Sequence, residues 1–198
     1  EEMNRRVVSQ IATFHFAATE KNRRNLLAED VPSDKIFVTG NPVVDSLRSM
    51  LKKVSPSPKI SQLLKSTEGK KRVLLTTHRR ESFGAPMLEA LSAIRDACAA
   101  TPDLNVIFPV HPNPNVRGPV YQNLSGLERL HLCDPVNYLE LTALMKACHF
   151  ALTDSGGIQE EAPYLGTPIL VVRENTERPE SVALGIARLV PMLQQSIL

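Results

Sequence analysis

The sequence predicts an α/β protein built around a parallel β-sheet. Two patterns between residues 72 and 172 support this fold class: apolar runs of strand length alternate with stretches that suit helices, and the runs are apolar throughout. A continuously apolar run is typical of a strand buried on both faces of a parallel sheet. Because parallel strands need a crossover connection, which is usually a helix, we expect helices on both faces of one sheet.

Shorter elements are predicted before residue 72. They are a helix at 2–12, a strand at 14–18, a helix at 20–29 behind the N-cap candidate Thr19, a strand at 36–39 and a helix at 43–52. Ser55-Pro56-Ser57-Pro58 ends the last of these helices. The polar stretch that follows, residues 59–71, is predicted to contain one or two helical turns and is the best candidate for a linker.

The regular part of the chain is predicted as alternating strands and helices. The strands are at 73–77, 106–110, 129–133, 150–153 and 169–172, and the helices are at 85–100, 118–124, 137–148 and 156–165. Residues 182–198 have weaker periodicity and are predicted to form a helix and a short edge strand.

Composition favours a protein with a buried core and argues against some partners. The chain has 198 residues, of which 42% are hydrophobic. Its net charge of +2 and its few aromatic residues indicate neither nucleic acid nor membrane as a partner. Cys98, Cys133 and Cys148 lie far apart in apolar contexts, so we expect buried thiols of a reducing compartment. The chain begins at Glu1 without a methionine, and we expect a fragment of a longer protein.

One corner of the sequence has the pattern of an anion-binding turn. A predicted strand is followed by Ser155-Gly156-Gly157 and then by residues that suit a helix. The first N–H groups of a helix lack partners and lie at the positive end of its dipole. Ser155 can cap this helix or bind a phosphate oxygen, and the carboxylates of Glu160 and Glu161 suit sugar hydroxyls. The alternative is an ordinary Ser-capped turn in which both glutamates complement the dipole.

Basic and polar residues follow each predicted strand. The carboxyl ends of parallel strands meet at one edge of the sheet, and ligands bind beyond that edge. The basic side chains in these segments include His78, Arg79, His111, Arg173 and Arg178. A surface loop or a salt bridge explains each of them singly. Together with the glycine corner they predict a site for an anionic ligand, since arginine suits phosphate oxygens.

Absent motifs narrow the ligand class. The sequence has no Walker A motif, no G-x-G-x-x-G after the first strand, no Asp-x-Asp pair and no His/Cys cluster at metal-ligand spacing. We therefore expect neither a metal nor a cofactor. Arg, His and a helix N-terminus would balance the charge of a diphosphate, which suits a nucleotide sugar with UDP as the leaving group.

Several motifs, in this order, resemble those of the non-hydrolysing UDP-N-acetylglucosamine 2-epimerases. They are His78-Arg-Arg-Glu-Ser-Phe-Gly84, Pro109-Val-His-Pro-Asn-Pro-Asn-Val116, Asp154-Ser-Gly-Gly-Ile-Gln-Glu-Glu-Ala-Pro163, Leu165-Gly-Thr-Pro168 and Val172-Arg-Glu-Asn-Thr-Glu-Arg-Pro-Glu180. The resemblance implies a GT-B-type fold of two Rossmann-like domains. This chain would hold the C-terminal, UDP-binding domain at 31–198. Residues 1–30 would be an inter-domain segment beside a missing N-terminal domain.

The resemblance also implies a reaction and a setting. Members of the family interconvert UDP-N-acetylglucosamine and UDP-N-acetylmannosamine by anti elimination of UDP to a 2-acetamidoglucal. Syn re-addition of UDP then follows with inverted configuration at C2. For this chain the resemblance implies UDP-N-acetylglucosamine and UDP as ligands, a homodimer, a cytoplasmic location and a role in cell-surface polysaccharide biosynthesis.

Motif positions imply three groups of site residues. The catalytic group is His78, which would contact the diphosphate and assist the leaving group, with a carboxylate at Glu1 or Glu2. The UDP-binding group is Ser155, Gly156 and Gly157 for the phosphates, Glu161 for the ribose hydroxyls, and Arg173 and Arg178 in the same cleft. The allosteric group, which touches a second UDP-N-acetylglucosamine in bacterial members, is Arg79, Glu81 and His111.

Some positions depart from the pattern of the family. Leu141 stands in place of an aromatic residue near the uracil, Thr77 replaces a common glycine, and residues 183–188 differ from the usual continuation. Elimination needs acid–base groups from the opposite wall of the cleft, so we expect this chain alone to bind UDP without turnover. The alternatives are a non-catalytic nucleotide-sugar-binding fragment and one half of a GT-B glycosyltransferase.

Overall fold

Strands and helices alternate along the chain in the computed structural model, which describes residues 2–52, 55–79, 82–191 and 193–197. The strands are His15–Ala17 (β1), Ile36–Val38 (β2), Lys71–Thr76 (β3), Leu104–Pro109 (β4), Leu130–Cys133 (β5), Phe150–Thr153 (β6), Ile169–Val172 (β7) and Ala187–Val190 (β8). The helices are Glu2–Ile11 (α1), Glu20–Leu27 (α2), Pro42–Leu51 (α3), Pro58–Ser66 (α4), Ala85–Ala100 (α5), Pro114–Leu124 (α6), Tyr138–Ala147 (α7), Gly156–Leu165 (α8), Pro179–Ala183 (α9) and Gln194–Ile197 (α10).

Six strands of the described chain form one parallel sheet in the order β5-β4-β3-β6-β7-β8. At its centre, Val73 of β3 pairs with Val106 of β4 on one side and with Phe150 of β6 on the other. The order of strand addition reverses between β3 and β6, and such a reversal opens a crevice beyond the carboxyl ends of the strands. The predicted α/β fold with a Rossmann-like parallel sheet is confirmed.

Two apolar cores cover the two faces of this sheet. Val73 packs in one core with Leu91 of α5. Its neighbour Leu74 packs in the other core with Leu144 of α7. Successive residues of a strand point to opposite faces. The strands therefore carry apolar residues on both faces, because helices cover both.

The first 46 residues form a unit of their own, and residues 47–198 form a second. In the first unit β1 and β2 pair in parallel, with Phe16 opposite Phe37. Thr19 caps α2, as the sequence predicted. The small core of this unit consists of Ala17, Val31 and Ile36. The domain boundary after residue 30 stays a prediction.

Three stretches differ from the prediction. The presumed linker contains α4, which Ser57 caps and whose Ile60 is buried at 2% exposure, so it belongs to the packed second unit. Helix α6 begins at Pro114 rather than at residue 118, because Asn113 caps it and a proline suits the first helical position. In the last segment the helix begins earlier, at Pro179, while the predicted edge strand is present as β8.

Candidate functional site

The loop after β3 and the turn after β6 lie side by side at the crevice. The hydroxyls of Thr76 and Thr153, at the ends of these strands, are hydrogen-bonded at 2.6 Å. The next residues continue the link, since the Thr77 hydroxyl donates to the Asp154 carboxylate at 2.9 Å. We call the edge formed by residues 77–79 and 154–157 the rim. It joins two segments that the sequence placed at one edge of a sheet.

Asp154 anchors the rim and is fully buried, with 0% side-chain exposure. The backbone N–H groups of His78 and Arg79 donate to it at 3.0 Å each, and the Ser82 hydroxyl donates at 3.2 Å. The Nδ1 atom of His78 lies 3.2 Å from its second oxygen. Burial opposes ionisation, but the hydrogen bonds from His78 and Arg79 outweigh it and lower the pKa of Asp154 to about 2. The carboxylate is therefore charged and holds the loop that carries His78.

Histidine and arginine side chains converge beside this anchor. The rings of His78 and His111 are stacked, with centroids 5.8 Å apart and planes inclined by 23°. A Cβ added to Gly156 would lie 3.4 Å from a terminal nitrogen of Arg79, so this guanidinium lies against the glycine turn. The structure thus brings together residues that the sequence placed after three different strands.

Helix α8 begins directly at the rim with two glycines. Ser155 is its N-cap, but within the described residues its hydroxyl accepts no capping hydrogen bond. Neither Gly156 nor Gly157 has a positive φ, so the backbone conformation does not require glycine at these positions. What the glycines provide is close access to the N–H groups of the first turn. An ordinary Ser-capped turn does not explain this arrangement.

A second buried carboxylate, Glu161, lies further along α8, with only 8% of the residue exposed. Its Oε2 atom and the Tyr138 hydroxyl are both buried without a hydrogen-bond partner in the part of the chain that the structure describes. Burial raises the pKa of Glu161, and the nearby Tyr138 hydroxyl offsets this only in part. Buried polar atoms normally have partners, so these two have capacity for the hydroxyls of a ligand.

The arginines after β7 are held by ion pairs. Arg173 donates to both oxygens of Glu177, at 2.9 and 3.0 Å. These bonds lower the pKa of Glu177 to about 2. Arg178 pairs with Glu160 of α8. Both guanidinium groups are therefore fixed in place, and their charge is already partly balanced.

Among the other predicted site residues, the structure describes Glu2. Glu2 is part of α1 in the first unit, where it accepts two hydrogen bonds from Arg5, at 2.6 and 3.1 Å. These bonds lower the pKa of Glu2 to about 2. Glu1 and Glu81 lie outside the described residues. Leu141 packs at the edge of the core that contains Leu74.

Sequence reasoning missed the roles of Asp154, Ser82 and Tyr138, and it noted Thr77 only as a departure from a pattern. An acid that directly follows an apolar strand was the available signal for Asp154. Its partners could not be deduced, because they follow a different strand and the pairing of β3 with β6 is not visible in the sequence. Thr77 is explained by its hydrogen bond to Asp154.

The described residues contain no group of three or more His, Cys, Asp or Glu side chains that could hold a metal ion. None of the helices in those same residues is long and apolar enough to cross a membrane. Cys98, Cys133 and Cys148 are buried free thiols, as the sequence predicted.

The strand order defines the class: a Rossmann-like domain. The chain belongs to the UDP-N-acetylglucosamine 2-epimerase family, whose sequence model matches residues 1–198. A probable UDP-N-acetylglucosamine 2-epimerase of Ralstonia nicotianae is 47% identical over 195 residues, which cover 96% of this chain and 52% of the relative.

Two solved structures of relatives have the same fold over 100% of this chain. The UDP-GlcNAc 2-epimerase of Neisseria meningitidis, bound to UDP-GlcNAc, has a TM-score of 0.89 and 43% identity, and 54% of that chain is covered. The Staphylococcus aureus MnaA–UDP structure has a TM-score of 0.92 and 36% identity, with 52% of that chain covered. This chain therefore spans about half the length of the relatives that it matches.

Proposed function

We propose that this chain is the UDP-binding half of an enzyme that interconverts UDP-N-acetylglucosamine and UDP-N-acetylmannosamine. The observation that carries the proposal is the start of α8, a glycine-lined first turn whose N-cap hydroxyl makes no capping bond within the described residues. His78 and Arg79 lie beside this turn. The Neisseria relative is bound to UDP-GlcNAc and the Staphylococcus one to UDP, which supports UDP as the ligand here.

The first turn of α8 holds the diphosphate in this proposal. Its N–H groups and the Ser155 hydroxyl donate to phosphate oxygens, and the helix dipole favours their charge. His78 donates to the diphosphate as UDP departs and so stabilises the negative charge that develops. Arg173 and Arg178 complete the wall of the cleft.

Glu161 binds the ribose in this proposal. Its buried Oε2 atom has no partner among the described residues and accepts a hydrogen bond from a ribose hydroxyl. The Tyr138 hydroxyl, equally buried, donates to or accepts from the second ribose hydroxyl. The uracil gains no aromatic stacking from position 141, because the residue there is Leu141.

The chemistry is divided between this chain and a further domain. Elimination breaks the bond between sugar C1 and the β-phosphate oxygen and removes a proton from C2. Re-addition of UDP reverses the elimination with the proton returned on the other side of C2. Both steps need positioned acid and base groups. We assign one to Glu2 or Glu1 and the others to the further domain, so the isolated chain binds UDP without turnover.

Exposed apolar side chains support a missing neighbour for residues 1–30. In α1, Met3 is 75% and Ile11 79% exposed. In the strands of the first unit, Phe16 is 71% and Phe37 44% exposed. A parallel pair of strands with one uncovered face is unusual, because parallel sheets are normally covered on both sides. We propose that a preceding domain continues this sheet and covers these side chains.

A second UDP-N-acetylglucosamine is proposed to act as an allosteric activator through Arg79, Glu81 and His111. The ring of His111 is stacked on that of His78, so a ligand at His111 can change the position of the catalytic ring. A homodimer, a cytoplasmic location and a role in cell-surface polysaccharide biosynthesis complete the proposal, supported by family membership alone.

Calorimetric titration with UDP tests the proposed site. We expect the wild-type chain to bind UDP. Ser155→Ala should weaken binding roughly three- to tenfold, the effect of one hydrogen bond, and His78→Ala should weaken it at least as much. The matched control is Ser57→Ala, which removes the N-cap of α4. It should lower the stability of the chain by about 1 kcal/mol and leave UDP affinity unchanged.

Two results would contradict the proposal: a folded wild-type chain that does not bind UDP, or an equal loss of affinity in the Ser155 and Ser57 variants. Transfer of N-acetylglucosamine to an acceptor, once a further domain is supplied, would identify a GT-B glycosyltransferase half instead. UDP binding without epimerisation under the same conditions would indicate a non-catalytic module.

A further inference from the structure

The two carboxylate oxygens of Asp154 have different partners. Oδ2 accepts four hydrogen bonds, from the hydroxyls of Thr77 and Ser82 and from the backbone N–H groups of His78 and Arg79, at distances between 2.9 and 3.2 Å. Oδ1 lies 3.2 Å from the Nδ1 atom of His78 and 3.3 Å from the backbone nitrogen of the same residue. One oxygen therefore fixes the loop, and the other faces the imidazole ring.

This arrangement determines where His78 carries its proton. An ionised carboxylate can only accept hydrogen bonds, so Nδ1 of His78 must be the donor. A neutral imidazole has a single N–H, and its Nε2 atom is then without a proton. This tautomer is the opposite of the one that predominates for neutral histidine side chains in water. The buried, fully hydrogen-bonded position of Asp154 holds the ring in the less common form.

We propose that Asp154 is a positioning residue that fixes the tautomer and the orientation of His78. The consequence for catalysis rests on the proposed function. When the bond between sugar C1 and the β-phosphate oxygen breaks, its electron pair stays with that oxygen, and the proton on Nε2 of the imidazolium moves to it. On re-addition the proton returns to the same nitrogen. Because Nδ1–H stays hydrogen-bonded to Asp154 in both steps, the ring can act in elimination and in re-addition without rotating.

An Asp154→Asn substitution should reverse the tautomer, and the hydrogen-bond pattern shows why. The Oδ2 position is surrounded by four donors, so the amide oxygen must take that place. The amide NH₂ group then lies at the Oδ1 position, where it donates to Nδ1 of His78. Nδ1 becomes an acceptor, and the proton of the neutral ring moves to Nε2.

Long-range ¹H–¹⁵N NMR of the histidine-labelled chain, in the absence of UDP, measures this directly. The chain has five histidines, and the resonances of His78 are assigned by their loss in His78→Gln. At a pH where the ring is neutral, we expect protonated Nδ1 in the wild type and protonated Nε2 in Asp154→Asn. Thr77→Val is the matched control, since it removes one of the four donors to Oδ2 and should keep the wild-type tautomer.

Protonated Nε2 in the neutral wild-type ring would overturn the inference, and so would protonated Nδ1 in a folded Asp154→Asn chain. If that variant does not fold, the wild-type and Thr77→Val spectra still test which ring nitrogen of His78 carries the proton. UDP titration separates this inference from the proposed function. Predicted tautomers together with a roughly tenfold loss of UDP affinity in Asp154→Asn would support both. Predicted tautomers in a wild-type chain that does not bind UDP would support the role of Asp154 and overturn the proposed function.

Discussion

At the scale of single residues, the site holds two buried carboxylates in opposite electrostatic settings. Hydrogen bonds from the protein outweigh the burial of Asp154 and lower its pKa to about 2. Glu161 has fewer such bonds, and burial raises its pKa above the ordinary 4.5. Asp154 therefore stabilises the folded chain, whereas Glu161 is costly to keep charged. Carboxylates whose pKa values are shifted in opposite directions within one cleft are typical of functional sites. A ligand can donate the hydrogen bonds that the protein does not provide to such a group.

Glu161→Gln should stabilise the chain without ligand and weaken its binding of UDP. A folded-state pKa above the unfolded value means that stability is lost as pH rises through the folded pKa. At neutral pH the wild-type chain has lost this contribution to its stability, whereas the glutamine variant has no charge to bury. We expect a higher thermal unfolding temperature near pH 7, a smaller difference below pH 4.5, and weaker UDP binding by calorimetry.

The matched control for that experiment is Glu160→Gln. Glu160 is the neighbouring residue of α8, but it pairs with Arg178. Its substitution should leave the unfolding temperature unchanged or lower it slightly, because partly exposed ion pairs contribute little. A rise in stability equal to that of Glu161→Gln would show that burial of Glu161 is not the cause.

At the scale of elements, helix α8 carries glycines at both ends for different physical reasons. Gly156 at its start has a φ that any residue can adopt. Gly166 at its end has φ +72°, in the left-handed region that favours glycine, and it terminates the helix. The first glycine is explained by access for a ligand and the second by backbone conformation.

Alanine substitutions at the two ends should therefore have opposite effects. Gly156→Ala should raise stability by up to about 1 kcal/mol, because the new methyl group meets only the flexible end of Arg79. It should weaken UDP binding roughly tenfold, since it fills the space above the first turn. Gly166→Ala should lower stability by about 1 kcal/mol and leave UDP affinity unchanged. Chemical denaturation and calorimetry measure both quantities, and unchanged UDP affinity in Gly156→Ala would contradict the proposed phosphate site.

Elements with strong apolar patterns were predicted well from the sequence. The bounds of β6, β7, α5 and α8 are those predicted, because each is an apolar or periodic stretch bounded by a polar residue, a glycine or a proline. Helix α4 was predicted only as one or two helical turns within a linker, because the stretch is polar and Ile60 is its one fully buried residue. Its packing depends on distant residues of the chain, which periodicity does not reveal.

The site was predicted at the level of loops but not of contacts. Parallel topology alone places the segments after β3, β4, β6 and β7 at one edge of the sheet. Which side chains touch is decided by strand order, and the sequence does not specify that β3 neighbours β6. The Asp154 network and the stacking of His78 on His111 both depend on it. They could be found only from the folded chain.

At the scale of the whole molecule, the two units differ in how completely they cover their apolar side chains. Residues 47–198 bury two large cores on a six-stranded sheet, counted over the described residues. Residues 1–46 have a small core and expose many large apolar side chains. Exposure of several large apolar side chains in so small a unit indicates a surface that binds another protein segment. The relatives are about twice as long as this chain.

Supplying that segment in trans should restore epimerisation. We expect activity when the wild-type chain is mixed with the part of the Neisseria meningitidis relative that this chain does not match. Phe16→Asp should abolish it, because Phe16 is 71% exposed and is covered only in the assembly. Leu184→Asp is the control: Leu184 is 74% exposed in the other unit, and this substitution should have no effect. Equal effects of the two substitutions on activity and assembly would contradict the proposed interface.

The contact between Thr77 and Asp154 joins residues 77 positions apart in the sequence. This separation determines the order in which the strands and the rim can form. During synthesis His78 leaves the ribosome long before Asp154 exists. The strands β3, β4 and β5 can pair meanwhile, but the rim cannot close until β6 docks against the other side of β3. Contacts of such long range form late. The proposed UDP site therefore forms only in chains whose central strands have all been assembled.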